Sequence, residues 1–293
     1  MRLEELYQSD RTEISVEFFP PKTPQAIETL FTETVPALKK FNPAFVSMTF
    51  GAGGTTRDLT LDLCNRLKHQ AGLETMCHLN IVGQSKADTR ANLARLKALG
   101  IYNLLALRGD PPRDDPDFKP HPDGFHSSVE LVEEAHKEPF FSIAVTGFPE
   151  VHPEAKNASA DMAYLKRKLD AGGKIVITQL FFDNTDFFKF LEAVRHAGIT
   201  APIIPGILPI LSVAQVRRFT AMCGSKIPPA VARELAQHEN DDAAAVQYGI
   251  ELATRQCEEL LKTAQVPGLH FYALNRAQST AAVLSNLGFR PEK

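Results

Sequence analysis

ISVEFFPPKTP (14–24) opens on an apolar run that reads as a strand, carries one acid near its centre, and passes directly into prolines. A doubly wound nucleotide-binding sheet would place a glycine-rich phosphate loop after its first strand. Here the strand meets FFPPKTP instead, which lowers the odds of that fold and directs attention to the other parallel architectures. The GAGGTT stretch (51–56), after the second apolar run, lacks the third glycine of the dinucleotide fingerprint and reads as a tight strand-to-helix turn that admits close backbone approach.

Working outward from 14–19, seven more runs follow: AFVSMTF (44–50), ETMCHLN (74–80), NLLALRG (103–109), FSIAVTG (141–147), KIVITQL (174–180), PIIPGIL (202–208) and GLHFYAL (268–274). Near-continuous apolar strands are what a parallel sheet covered on both faces requires. Between them lie segments with helical spacing, such as Leu93, Leu96 and Leu99 before Gly100, or Phe187, Phe188, Leu191 and Val194 before Gly198. Strand starts fall roughly 30 residues apart, the length of one β/α unit, and eight such units predict a (β/α)8 TIM barrel. The chain reads as a single catalytic domain, 1–293, with an elaborated connection between strands seven and eight (225–267). A long proline-rich and acidic loop, RGDPPRDDPDFKPHPDGFH (108–126), follows strand four.

Lys plus Arg total 32 against 35 Asp plus Glu, a net charge of -3 that gives no broad basic field for nucleic acid or anionic lipid. Cys64, Cys77, Cys223 and Cys257 form no CxxC pair, so reduced thiols are expected rather than a zinc site or a redox dithiol. The start, MRLEELYQSDRTE, is acidic where a signal peptide needs a basic and then an apolar region. No apolar run approaches the ~18 residues of a membrane span. The expectation is a cytoplasmic protein without nucleic-acid or membrane partners.

In barrels of this kind the chemistry sits at the carboxyl ends of the strands. Glu17 lies inside ISVEFF, in a setting that disfavours a charged carboxyl; it is either a general acid or one half of an ion pair across the barrel. Thr49 ends strand two, His78 lies near the end of strand three, Arg108, Gly109 and Asp110 end strand four, and Gln179 ends strand six. No strand offers metal-ligand spacing, no GxSxG elbow occurs, and no strand-end lysine signals a Schiff base, so neither metal nor covalent catalysis is expected. After strand five, FPEVHPEAKNASADMAYLKRKLDAGG (148–173) runs into a helix capped by Asn157 or Ser159. Asp161 and Lys168 share one stripe of it, as a solvated ion pair or as two charges aimed at a polar ligand. HFYALNRAQ (270–278) places Tyr272, Asn275 and Arg276 at a helix start, where an anionic ligand is favoured over a merely solvated Arg276.

Taken together, VEFFPPKT (16–23), TFGAGG (49–54), ALRGDPP (106–112), FPEVHPEA (148–155), LKRKLDAG (165–172), ITQLFFD (177–183), PGILPI (205–210) and HFYALNR (270–276) resemble the flavin-dependent 5,10-methylenetetrahydrofolate reductases. The likeness spans nearly the whole chain and is closest to the compact bacterial form. It implies noncovalent FAD, reduction by NADH or NADPH, and hydride transfer to methylenetetrahydrofolate, the two substrates taking turns. By the same resemblance Glu17 is the general acid that assists opening of the imidazolidine ring, and Asp110 is the acid beside flavin and folate. Gln179 and Phe219 meet the pterin, Tyr272 belongs to the substrate site, and Arg276 meets the glutamate tail. Thr49, His78, Leu107, Arg108, Gly109, Asp110, Ser127, Ser128, Phe148, His152, Asp161 and Lys168 match flavin-contacting positions. Arg108 and Lys168 suit the diphosphate and Asp161 the ribityl hydroxyls. A homo-oligomer, dimer or tetramer, is also implied.

The chain departs from the family pattern at Phe148, where many relatives carry Tyr, and at Ser127 and Ser128, where Tyr-Ala is common. Hydrogen bonding or stacking at those flavin contacts is expected to differ. The competing readings are a flavin barrel acting on another amine or imine, in the manner of proline dehydrogenase, and a non-redox barrel lyase or aldolase.

Overall fold

The computed structural model describes residues 1–7, 11–50, 57–111, 115 and 117–291. Eight parallel strands follow one another in chain order around a closed barrel. They are β1 Glu13–Phe18, β2 Phe45–Met48, β3 Thr75–Asn80, β4 Asn103–Leu107, β5 Ser142–Gly147, β6 Ile175–Leu180, β7 Ile203–Ile207 and β8 Gly268–Tyr272. Every expected strand is present, trimmed where the apolar run continues into a turn, except that β1 begins one residue early at Glu13. The helices are α1 Leu3–Leu6, α2 Pro24–Thr29, α3 Val35–Lys39, α4 Arg57–His69, α5 Lys86–Ala98, α6 Ser128–His136, α7 Ala158–Asp170 and α8 Asn184–His196. Then come α9 Val213–Cys223, α10 Pro229–Gln237, α11 Asp242–Glu259 and α12 Ala277–Asn286.

Because side chains alternate along a strand, each strand feeds two environments. Val16, Phe18, Val46, Met48, Cys77, Leu79, Leu104, Ile143, Val145, Val176, Ile203, Leu269 and Phe271 face outward and pack under the helices in the main core. Their partners in the alternation point into the barrel. At its amino-terminal end, Phe45, Met76, Leu105, Ala144, Ile175, Ile177 and Ile204 form a separate apolar cluster closed by Leu3 and Leu6 of α1. The acidic, polar-looking amino terminus is thus a plug. Its Leu3 is fully buried, and the amino group of Met1 lies 2.8 Å from the Glu74 carboxylate.

The connection from β7 to β8 is elaborated as expected, with α9, α10 and α11 in it and a π turn, Leu260–Ala264, continuing α11. Val213, Val216, Val231, Leu235 and Ala245 from these helices join Leu180, Leu208 and Ile210 in a satellite core at the carboxyl end of the barrel. The described part of 108–126 forms neither helix nor strand. Within it Pro112, Arg113, Asp114 and Pro116, like the GAGGTT turn, lie outside the described residues. Among the described residues no helix is long and apolar enough to cross a membrane.

Candidate active site

At the carboxyl end the inward positions turn polar. On β1 these are Ser15 and Glu17; register sets Ser15 opposite His270 and Glu17 opposite Tyr272 on β8, with Ser47 of β2 on the other side of Glu17. The Glu17 side chain is only 6% exposed, and its Oε2 lies 3.3 Å from His270 Nε2 and 3.4 Å from His78 Nε2. His270 Nδ1 is in turn 2.8 Å from Ser15 Oγ. The result is a row, Ser15, His270, Glu17, His78, carried by strands β8, β1 and β3 on one side of the barrel. Glu17 thus has basic neighbours, but they are imidazoles beside it rather than a permanent cation across the barrel.

Burial decides the state of one of these imidazoles. It pushes the His78 pKa down to about 4, against the pull of the Glu17 carboxyl, so the ring is neutral near pH 7. Its Nε2 approaches Glu17 without hydrogen-bond geometry and is buried with no partner. A buried polar atom left unpaired at a strand end calls for a ligand or an ordered water. Tyr272 sits beside the acid; burial and the Glu17 charge together drive its phenol well above the usual range, and its hydroxyl donates to the Thr178 carbonyl at 2.6 Å.

A second group gathers at the ends of β4, β5 and β6. Gly109 has φ +82, and a Cβ there would lie 2.9 Å from the side chains of Asn80 and Val82, so only glycine fits this turn. The turn carries Arg108 and Asp110 to the surface. Arg108 forms a two-pronged bond to Glu154 at 2.5 and 3.0 Å and lies 3.8 Å from the exposed Asp110. Leu107 ends β4, packed against the apolar cluster below it.

Lys168 of α7 is buried at the β5 end. It donates to the Thr146 carbonyl at 2.5 Å and lies 5.4 Å from the centre of the Tyr164 ring. Burial pulls its pKa down to about 8, Asp161 opposing. Asp161 instead accepts the His152 backbone N–H at 3.0 Å, so the pair is not a solvated salt bridge. Asn157 is the cap of α7, accepting from Ala160 N–H at 2.9 Å. The preceding loop strains Val151 to φ +69, an unusual conformation for a β-branched residue, and packs His152 edge-on to Phe148 with ring centres 4.5 Å apart.

The remaining expected residues divide. Ser127 caps α6 by accepting the Glu130 N–H at 3.2 Å, and Ser128 Oγ is 3.0 Å from the Tyr164 hydroxyl beside Lys168. Thr49 hangs on β1 through its N–H to the Phe18 carbonyl, 2.9 Å. Between Ile177 and Leu180 the register with β7 shifts; Gln179, within that stretch, lines a crevice shared with Phe148, and its Oε1 accepts the Leu180 N–H at 2.9 Å. Phe219 projects from α9 to Phe19, 6.3 Å between ring centres at 61°. Arg276 is exposed at the start of α12, apart from the buried row.

His270 opens HFYALNR and Ser15 lies in ISVEFF without being a candidate site residue there, yet the parity of β1 and β8 carries the signal: residues two apart on a strand share a face, so Glu17 implies Ser15 and Tyr272 implies His270. A groove of about 760 Å³ runs between α7 and α8; it shares Phe148 and Asp161 with the site but reaches neither Glu17 nor His78. Among the described residues no cluster of three or more His, Cys, Asp or Glu side chains is arranged to hold a metal ion.

A buried acid between imidazoles, with Arg108 beyond β4 and Lys168 of α7 nearby, lies at the carboxyl end of a closed parallel barrel, the end at which TIM-barrel enzymes carry their chemistry. Residues 2–288 match the model of the family Methylenetetrahydrofolate reductase, and the chain belongs to that family. It is 40% identical over 293 residues to Methylenetetrahydrofolate reductase (NADH) 1 of Zea mays, covering 96% of this chain and 49% of the relative. It is 36% identical over 278 residues to the 5,10-methylenetetrahydrofolate reductase of Salmonella typhimurium, 95% of this chain and 91% of that one. The chain thus spans about half the length of the plant relatives and nearly all of the bacterial one. Among solved structures, an uncharacterized protein from Clostridium thermocellum that binds two copies of 5-methyl-5,6,7,8-tetrahydrofolic acid has the same fold. Its TM-score is 0.66 at 12% identity, with 98% of each chain covered.

Proposed function

We propose that this chain reduces 5,10-methylenetetrahydrofolate to 5-methyltetrahydrofolate with NADH or NADPH as electron donor and noncovalent FAD as cofactor, acting as a homo-oligomer. The observation that carries this reading is the Glu17 carboxyl buried between His78 and His270 in a chain of this family. FAD, when bound, supplies the two-electron relay between nicotinamide and folate. The residues present suit it. Arg108 beyond β4 and Lys168 of α7, beside the end of β5, are cations for the diphosphate, and the unpaired His78 Nε2 offers a polar contact. Thr49, Leu107, Ser127, Ser128, Phe148, His152 and Asp161 complete the surround. Phe148 and Ser127 present no phenol, so this flavin site relies on ring packing against His152 and on the Ser128–Tyr164 contact.

Glu17 acts on the folate. Its carboxyl donates a proton to the departing ring nitrogen as the bond from that nitrogen to the bridging methylene breaks, leaving an iminium carbon that can accept hydride. His270, fixed by Ser15, holds the carboxyl in place, and neutral His78 adds no competing positive charge near pH 7. Asp110 offsets the cationic iminium, Gln179 binds the pterin edge, and Phe219 and Tyr272 wall the site. Arg276 meets the anionic tail.

The test is direct. Purified protein incubated with FAD is expected to retain the cofactor, bleach under anaerobic NADH or NADPH, and recover colour with methylenetetrahydrofolate while 5-methyltetrahydrofolate accumulates. Protein that stays colourless after incubation with FAD contradicts the proposal.

A further inference from the structure

Asn275 stands where β8 stops pairing with β1. The last main-chain contact between the two strands is the Ala273 N–H to the Glu17 carbonyl, 3.3 Å. Leu274 and Asn275 then take φ +51 and +58, a tandem left-handed pair that turns the chain away. Such conformations cost a non-glycine residue on the order of 1 kcal/mol or more each and persist only where surrounding structure imposes them.

The turn presents the Asn275 amide to Phe19. Oδ1 accepts the Phe19 N–H at 2.9 Å while Nδ2 donates to the Phe19 carbonyl at 2.8 Å. Both backbone groups of one residue are therefore satisfied by one side chain, as a neighbouring strand would satisfy them. Pro20 and Pro21 follow and have no N–H of their own, so Phe19 offers the last donor with which this end of β1 can be fastened. From the other side Thr34 Oγ1 donates to the Asn275 carbonyl at 3.2 Å.

We propose that Asn275 is a positioning residue: its amide supplies the missing rung beyond Ala273 and fixes the end of β1, so that the Glu17 carboxyl keeps its place at the folate. This rests on the reading of Glu17 as the acid of the folate step. Ala offers neither bond, and Asp would turn a carboxylate toward the Phe19 carbonyl. Gly takes the left-handed turn without strain and removes the amide alone.

Asn275→Gly, Glu17→Gln and the double variant, each loaded with FAD, are compared by rapid mixing in the two half-reactions, with Asn275→Asp as the isosteric control. Hydrogen exchange of the peptide containing Phe19 and the melting temperature are read alongside. Asn275→Gly is expected to slow reoxidation by methylenetetrahydrofolate about 10- to 100-fold, leave reduction by NADH unchanged, speed exchange at Phe19 and preserve the melting temperature. Asn275→Asp, with its donor lost, is expected to slow the same half-reaction. The double variant is expected to be no slower than Glu17→Gln alone, because the group being positioned is already gone. Wild-type reoxidation in Asn275→Gly, equal slowing of both half-reactions, or multiplied effects in the double variant overturn the proposal. Wild-type reoxidation in Glu17→Gln overturns instead the reading of Glu17 beneath it.

Discussion

The two ends of the barrel interior share strands β2 and β3 and differ in almost every other respect. Below, Phe45, Met76, Leu105, Ile175, Ile177 and Ile204 fill the space with apolar side chains and α1 closes it. Above, Ser47 and His78 stand two positions further along the same faces of β2 and β3, and β1 and β8, which give nothing to the lower cluster, add Glu17, His270 and the half-buried Tyr272; His78 Nε2 and Ser47 Oγ are left unpaired. One end satisfies packing; the other keeps polar groups at a cost in stability. Such a division is what is expected where stability is given up for chemistry.

The division can be broken most severely from below. Leu105→Lys would place an unpaired charge in a cluster where Leu105 is 3% exposed. The expected loss is about 4 kcal/mol or more, enough to prevent folding, and is read as the soluble folded fraction. Leu3→Ala, which opens a gap in the plug, is expected to cost about 2–4 kcal/mol in denaturant unfolding while turnover per folded molecule stays at the wild-type value. The mirror experiment at the top is gentler on stability. The folded-state pKa of His78 lies near 4, below its ordinary 6.5, so the unfolded chain takes up that proton first. The stability is therefore present above pH 6.5 and is lost as pH falls toward 4, about 2 kcal/mol between pH 7 and pH 5. Thermal melts of His78→Asn are expected to show a flatter acid limb; an unchanged limb would mean that His78 does not carry this dependence.

Much of this was legible in the residues, and what was not has physical causes. Eight apolar runs and their spacing gave the barrel, because burial on both faces leaves a continuous signature, and the long 225–267 interval gave the extra helices. The plug did not show, since two leucines among Arg2, Glu4 and Glu5 make too short a pattern to read. At the site, Glu17 and His78 stood out as polar residues in apolar strands. His270 and Ser15 needed the register between β1 and β8, a long-range fact. The bond that holds Arg108 to Glu154 is not legible either, because a pair 46 residues apart leaves no local trace.

The claim that the polar end exists for the folate step is tested most directly by Glu17→Gln in single-turnover rapid mixing. The amide keeps the size of the side chain and removes the exchangeable acid. Reduction of the bound flavin by NADH is expected to proceed as in the wild type, the melting temperature to be equal or higher, and reoxidation by methylenetetrahydrofolate to fall by about 10²–10⁴-fold. Equal loss in both half-reactions, or undiminished reoxidation, would contradict the account.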